Sequence, residues 1–253
     1  MILKAELVEG PAALPRRRRG LMLTGPTRLI ESFREQVRAP LGTVAAHPYF
    51  ARFGEHATPA QMKKALLGFY PLIEQFPQYM AAMLARIDGG SNARAEEARS
   101  WLMKNISVEE RHREWWLDWG APLGLSEADF VAHRPTARME AHTHFLYYVA
   151  RARPIGEAFA AVNYAVEGAT GIWAREMCQS FRKRLSALGL ADVGGRAARW
   201  LDAHAEYDDA HPVEALELVK VFCPDARSMD LAAQAAVRSL EYYTLALDDA
   251  CDA

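Results

Sequence analysis

Helical periodicity runs through nearly the whole chain after its first 27 residues. Apolar residues recur at intervals of three and four, without runs of β-branched residues bounded by hairpin turns. Thr58 followed by Pro59 predicts a helix start, because threonine caps a first turn and proline fits its first position. Pro40 is expected to end the preceding helix. The predicted helices cover approximately residues 28–39, 58–84, 94–119, 136–151, 155–187, 196–221 and 226–249, with a short one opened by Ser126 and Glu127. The sequence therefore predicts an all-α fold.

Composition limits the classes of protein to consider. With 253 residues, of which 51% are hydrophobic, the chain can form one large core, and we expect a single helical domain over residues 28–253. Residues 1–27 are predicted to be a flexible leader that contains four consecutive arginines at 16–19.

A net charge of -2 argues against a nucleic-acid partner. No apolar stretch approaches the roughly 20 residues that span a bilayer, so we expect no membrane partner and a cytoplasmic location. The three cysteines, at 178, 223 and 251, are expected to be reduced thiols.

One helix carries a set of side chains suited to a transition metal. His204, Asp208 and His211 are spaced by four and then three residues, and at about 100° per residue they share one helix face. Two imidazoles and a carboxylate form a mixed nitrogen and oxygen donor set that suits iron, manganese or zinc. A hydrogen-bonded network in a helix interface is the alternative for the same pattern.

Other predicted helices supply further candidate ligands. Glu109 and His112 are three residues apart and repeat the Glu-x-x-His unit of carboxylate-bridged di-iron bundles. Glu167 and Glu74 lie in apolar surroundings, where an unpaired carboxylate is costly to bury. The alternative for the Glu-x-x-His unit is an exposed pair, and each isolated glutamate could instead pair with an arginine. Together the candidates provide four carboxylates and three imidazoles, enough for two divalent ions with open positions.

Four segments resemble one known family. They are residues 68–76 (GFYPLIEQF), 101–109 (WLMKNISVE), 163–171 (NYAVEGATG) and 204–216 (HAEYDDAHPVEAL). These segments resemble the bacterial undecene-forming medium-chain fatty-acid decarboxylases, a branch of the haem-oxygenase-like di-iron oxidases in the superfamily of thiaminase II and the pyrroloquinoline-quinone synthesis oxidase. The similarity extends from about residue 45 to about residue 250.

The resemblance implies a seven- to eight-helix haem-oxygenase-like bundle with a catalytic non-haem iron site. It assigns Glu109, His112 and His211 to a firmly bound Fe(II). A second, more labile iron would be held by a set with Glu167 as the bridge, namely Glu74, Glu167, His204 and Asp208. The implied reaction converts a medium-chain fatty acid, with O2 and an external electron donor, to a terminal alkene and CO2. We also expect a homodimer, the commonest arrangement for soluble bundles.

Aromatic and methionine side chains could line a tunnel for the fatty chain, although such residues usually pack between helices. The candidates are Phe69, Tyr70, Phe76, Tyr79, Met80, Met83, Phe159 and Trp173. Asn105 stands where many related oxidases carry a glutamate, which favours the decarboxylase branch. Two alternatives remain open: another O2-dependent oxidase acting on a small carboxylic or amino acid, and a metal-free small-molecule binder. A thiaminase-like hydrolase would need a cysteine nucleophile, and the position of Cys178, three turns from Glu167, argues against that role.

Overall fold

The computed structural model describes residues 24, 27–90, 92–190, 195–207 and 211–252, and this part of the chain is helical without β-strands. The predicted all-α fold is confirmed. Two short 3₁₀ helices, Pro48–Phe53 and Ala121–Leu123, join longer elements. The α-helices are α1 (Arg28–Ala45), α2 (Pro59–Leu84), α3 (Ala93–Gly120), α4 (Glu127–Ala132), α5 (Ala137–Ala152), α6 (Ile155–Ala158), α7 (Glu167–Ala187), α8 (Arg199–Tyr207), α9 (His211–Phe222) and α10 (Ala226–Asp252).

The start of α2 has the predicted capping pattern. The hydroxyl of Thr58 accepts a hydrogen bond from the backbone N–H of Gln61, and the side-chain oxygen of Gln61 accepts one from the backbone N–H of Thr58. Pro59 occupies the first helical position, where its missing N–H removes no intrahelical bond. Local sequence therefore sets this boundary.

The first helix does not end at Pro40. Helix α1 continues through Pro40 to Ala45, which corrects the predicted boundary. Val37, before the proline, and Val44 and Ala45, after it, are all buried, and α1 packs against α10 and α7. The free energy gained by burying these side chains offsets the backbone hydrogen bond that the proline cannot donate.

A π-helical segment, Phe159–Val166, lies between α6 and α7. The three pieces together occupy the region predicted as one helix after Pro154. Single-turn π insertions are rare and occur often at functional sites, because they change which residues face inward. Here the insertion ends immediately before Glu167.

The helix predicted over residues 196–221 is described as α8 and α9, on either side of residues 208–210. Asp208 lies outside the described residues, as does the predicted leader apart from Thr24 and Thr27. The hydroxyl of Thr24 donates a hydrogen bond to Glu217 of α9, and Lys220 donates to the Thr24 carbonyl.

The interior is formed by α2, α3, the π segment, α7 and α10, against which the other helices pack. Aromatic side chains dominate the part of the core where α2, α3, α7 and α8 meet. Among the described helices, none combines the length and the apolar character that crossing a bilayer requires.

Candidate metal centre

Helix α3 places a carboxylate and an imidazole side by side in the interior. Glu109 and His112 are buried, at 7% and 5% exposed. Nδ1 of His112 lies 2.9 Å from Oε2 of Glu109. A spacing of three residues puts both on one face of the helix, and the structure brings the two side chains into contact there.

The His204 ring, on α8, lies 4.5 Å from the His112 ring, measured between centroids. Its Nδ1 lies 2.7 Å from the carbonyl oxygen of Trp200, which requires the proton on Nδ1 and leaves Nε2 as an electron-pair donor. Burial holds the pKa of His204 well below its usual value, and the neighbouring His112 and His211 lower it further. Because metals bind neutral imidazole, this side chain is prepared to act as a ligand.

Glu109, His112 and His204 each offer one ligand atom, and these three atoms lie within 4.8 Å of one another. Two ligand atoms that are each about 2.1 Å from one ion can be at most about 4.2 Å apart, so small side-chain rotations suffice for shared coordination. Two imidazoles and one carboxylate with open positions form the donor set typical of non-haem ferrous iron. The residues present therefore fit an iron ion.

A second pair of donors lies beside this group. Oε1 of Glu167 accepts a hydrogen bond of 2.9 Å from the amide of Asn163, one helical turn earlier. Oε2 of Glu167 lies 3.2 Å from Nδ1 of His211, but it accepts no hydrogen bond of good geometry from the described residues. Asn163 therefore orients the carboxylate so that its other oxygen faces His211.

The grouping differs from the one that the resemblance implies. The structure brings His204, rather than His211, to Glu109 and His112, whereas His211 pairs with Glu167. His204 lies on the part of α8 that docks on α3 and α7, and His211 lies at the start of α9. The two sets are adjacent, since Glu109 and His204 of the first and Glu167 of the second line the same cavity.

Glu74 lies outside both sets. It is half-buried on α2, and its charge adds to the burial that raises the pKa of Tyr70. Residues 70 and 74 are one turn apart, about 100° or more around the helix from Phe69 and Phe76. Glu74 thus lies near Tyr70 and is not one of the described residues that line the cavity beside the candidate ligands.

An apolar cavity adjoins the donors. Its volume is about 20 Å³, which is room for about one water molecule. Glu109, Glu167 and His204 line part of it. The remaining lining is Phe69, Leu72, Ile73, Phe76, Val166, Thr170 and Trp200. The candidate ligands therefore face a small, mostly apolar space and not bulk solvent.

A larger hollow of about 410 Å³ lies elsewhere, between the start of α3 and α9. Of its charged side chains, Arg94 pairs with Glu97, and Glu217 and Lys220 bind each other and Thr24. Nothing in this hollow resembles a set of metal ligands among the described residues, so we place the functional site at the buried donors.

Comparison with known proteins agrees with a metal centre. Residues 63–244 match the family described as iron-containing redox enzymes. This match covers most of the chain. The chain belongs to that family.

Solved structures support the same fold for this iron-containing redox enzyme. A TenA homologue from Pseudomonas syringae pv. tomato is 29% identical, with a TM-score of 0.82 over 92% of this chain and 100% of that one. A domain of unknown function with a haem-oxygenase-like fold from Shewanella denitrificans is 16% identical, with a TM-score of 0.70 over 88% and 92%. A putative TenA-like thiaminase from Sulfolobus solfataricus is 12% identical, with a TM-score of 0.57 over 91% and 97%. No curated protein matches the chain.

The enzyme's predicted tunnel residues occupy different places. Phe69 and Phe76 line the cavity, and Trp173 stacks on Phe50 and Trp200 behind it. The others lie deeper or further away in the core: Tyr70 packs on Phe130, Tyr79 on Tyr147, Phe159 on Trp101 and Phe222, and Met80 and Met83 are fully buried.

Two residues that hold the enzyme's candidate ligands were not predicted. Asn163, which is fully buried, is the single amide in an apolar stretch four residues before Glu167, and that spacing was a usable signal. Trp200 acts through its backbone carbonyl and through ring stacking on His204. No sequence pattern reports a backbone carbonyl as a partner, so this role required the structure.

Proposed function

We propose that this iron-containing redox enzyme is an O2-dependent oxidase that converts a medium-chain fatty acid to a terminal alkene and CO2. The observation that carries the proposal is the buried group of Glu109, His112 and His204, of which Glu109 and His204 line an apolar cavity. A mixed donor set with open positions suits O2 chemistry, and apolar walls suit an alkyl chain.

Ferrous iron held by these three residues would supply the activation of O2. The fatty acid loses its carboxyl group as CO2 and one hydrogen from the β-carbon, and this change oxidises it by two electrons. Reduction of O2 to two waters needs four electrons, so the external electron donor provides the other two. Phe69 and Phe76 would hold the chain and exclude water from the reacting carbons.

Glu167 and His211 are the residues that would hold a second iron. The Glu167 carboxylate and the His211 imidazole lie 3.2 Å apart beside the first group, and together they would hold that ion. Fewer protein ligands surround this position among the described residues, which supports weaker binding than at Glu109, His112 and His204.

The cavity volume favours a second candidate function, which is also that of an O2-dependent oxidase but with a smaller substrate. A space of about 20 Å³ is far smaller than the roughly 300 Å³ or more of usual ligand pockets. A fatty acyl chain would enter only after Phe69 and Phe76 rotate apart. A small carboxylic or amino acid would need less movement, so an oxidase acting on such a substrate is the second proposal.

A thiaminase-like role receives no support from the cysteines. The Cys178 thiol donates a hydrogen bond to Asp202 and accepts one from Arg182. Burial is the first cause that raises the pKa of this thiol, to about 11, so it is not a thiolate at neutral pH. None of the described residues that line the cavity is a cysteine.

The test is product analysis with protein loaded anaerobically with ferrous iron. Lauric acid, O2 and a reductant are added, and the headspace is analysed for 1-undecene. The fatty-acid proposal expects 1-undecene from the wild type, none from His204→Ala, and wild-type yield from His144→Ala, which alters an exposed histidine. O2 consumption with short acids but no alkene from lauric acid would instead support the second candidate. Protein that binds no iron would contradict both.

A further inference from the structure

Four tryptophans form a continuous aromatic group in the core behind His204. Trp116, Trp119, Trp173 and Trp200, here called the tryptophan cluster, have no solvent exposure. The Trp200 ring lies at centroid distances of 4.7 Å from Trp116, 5.3 Å from Trp173 and 5.7 Å from Trp119. Trp116 and Trp119 are 4.9 Å apart. Every other member is therefore in ring contact with Trp200.

Trp200 contacts the candidate metal ligand in two ways. Its indole stacks on the His204 imidazole with centroids 3.7 Å apart and planes 22° from parallel. Its carbonyl oxygen accepts the hydrogen bond from Nδ1 of the same imidazole. Electron tunnelling weakens steeply with distance, so stacked rings couple a metal bound at Nε2 strongly to this indole.

The surroundings of the indole nitrogens determine the fate of an oxidised ring. Nε1 of Trp119 and Nε1 of Trp200 have no hydrogen-bond partner among the described residues, and Nε1 of Trp116 donates to the carbonyl of Leu66. A carbonyl is too weak a base to remove the proton. An indole oxidised here keeps its proton, and a radical cation that keeps its proton is readily reduced again.

We infer that the tryptophan cluster donates electrons to the iron centre when the iron has been oxidised and no substrate is bound. If iron held by these residues were oxidised by O2 or peroxide, the Trp200 indole would give it one electron through the His204 ring, which would leave an indole radical cation. The ring contacts let Trp116 and Trp173 share this charge. An external one-electron reductant then restores the indole. The inference rests on the iron site of the proposed function but not on the identity of its substrate.

Trp115 provides a matched comparison within the same site. Its ring lies 5.1 Å from His112, it is half-buried, and the Arg199 guanidinium lies over it at 5.9 Å. It touches a candidate ligand but is not a member of the tryptophan cluster. Oxidation that simply attacks the nearest partly exposed indole would begin at Trp115, whereas the inference requires Trp200.

The experiment uses full-length protein loaded with ferrous iron, quantified by metal analysis, and mixed with hydrogen peroxide without substrate. Samples frozen at short times are examined by electron paramagnetic resonance, with and without deuterium-labelled tryptophan. We expect an organic radical whose spectrum changes with the label, loss of most of that signal in Trp200→Phe, and its retention in Trp115→Phe. Repeated peroxide additions should release iron and oxidise His112 and His204 sooner in Trp200→Phe than in wild type, as measured by mass spectrometry.

The outcomes separate this inference from the proposed function. Bound iron without a tryptophan radical, or an equal radical in Trp200→Phe, overturns the inference alone. Loss of the radical in Trp115→Phe with retention in Trp200→Phe also overturns it. A Trp200-dependent radical in protein that forms no alkene supports the inference and contradicts the decarboxylase. Protein that binds no iron overturns both.

Discussion

Replacing His142 with phenylalanine should remove a large part of the acid sensitivity of the fold. His142 of α5 is fully buried, stacks on Tyr243 with centroids 5.1 Å apart, and has no hydrogen-bond partner for either ring nitrogen among the described residues. Burial lowers its pKa from 6.5 to about 3. The ring is therefore neutral in the folded protein, whereas the unfolded chain takes up a proton below pH 6.5.

This difference in proton binding sets the sign and size of the effect. Because the unfolded chain binds the extra proton, the free energy of unfolding is unaffected well above pH 6.5 and falls as the pH drops toward 3. Each pH unit in that window removes about 1.36 kcal/mol, so the 1.5 units from pH 6.5 to pH 5 remove about 2 kcal/mol. For a domain of this size that corresponds to about 4–8 °C in Tm.

The assay is urea unfolding of metal-free protein at pH 7 and pH 5. Wild type should lose about 2 kcal/mol more than His142→Phe between these two conditions. The buried His204 titrates in both proteins, so its contribution cancels in the comparison. His144→Phe, which alters an exposed ring on the same helix, should keep the wild-type pH dependence. Equal losses in wild type and His142→Phe would refute the reasoning.

Two further predictions concern packing and ligand support. A methyl group at Gly156 would lie 2.2 Å from Sγ of Cys223, so Gly156→Ala should lower the free energy of unfolding by about 1–3 kcal/mol. Gly42→Ala, with no atom within 4 Å, should raise it by about 0.5–1 kcal/mol, and the opposite order in urea unfolding would contradict this. Asn163→Leu removes the hydrogen bond to Glu167 and should weaken ferrous-iron binding at the second position, beside Glu167, by about 10–100-fold. Unchanged affinity in an anaerobic iron titration would exclude that supporting role.

Local sequence predicted most helices because their boundaries depend on neighbouring residues. Thr58 and Pro59 define a helix start by themselves. Pro40 shows where prediction from local sequence fails, since packing of Val44 and Ala45 beyond it keeps α1 helical. The π segment depends on how the chain packs between α9 and α10, and no spacing in the sequence reports such an inserted residue.

The candidate site shows the same division. Glu109 and His112 were predictable as a pair because helix geometry alone brings them together. Their third partner was not, since whether His204 or His211 reaches them depends on how α8 and α9 dock. The cavity volume and the stacking on Trp200 are likewise products of packing. Sequence therefore proposed the candidate donors, and tertiary structure determined how those in the described residues are grouped.

The most direct test of a metal centre at these residues is metal analysis of protein expressed with added iron. We predict at least one iron per chain in wild type and in the control His144→Ala. We predict loss of that iron in His204→Ala, because removing one of three buried ligands leaves only Glu109 and His112. Wild-type protein without iron, or His204→Ala with the same iron content as wild type, would contradict a metal centre at this position.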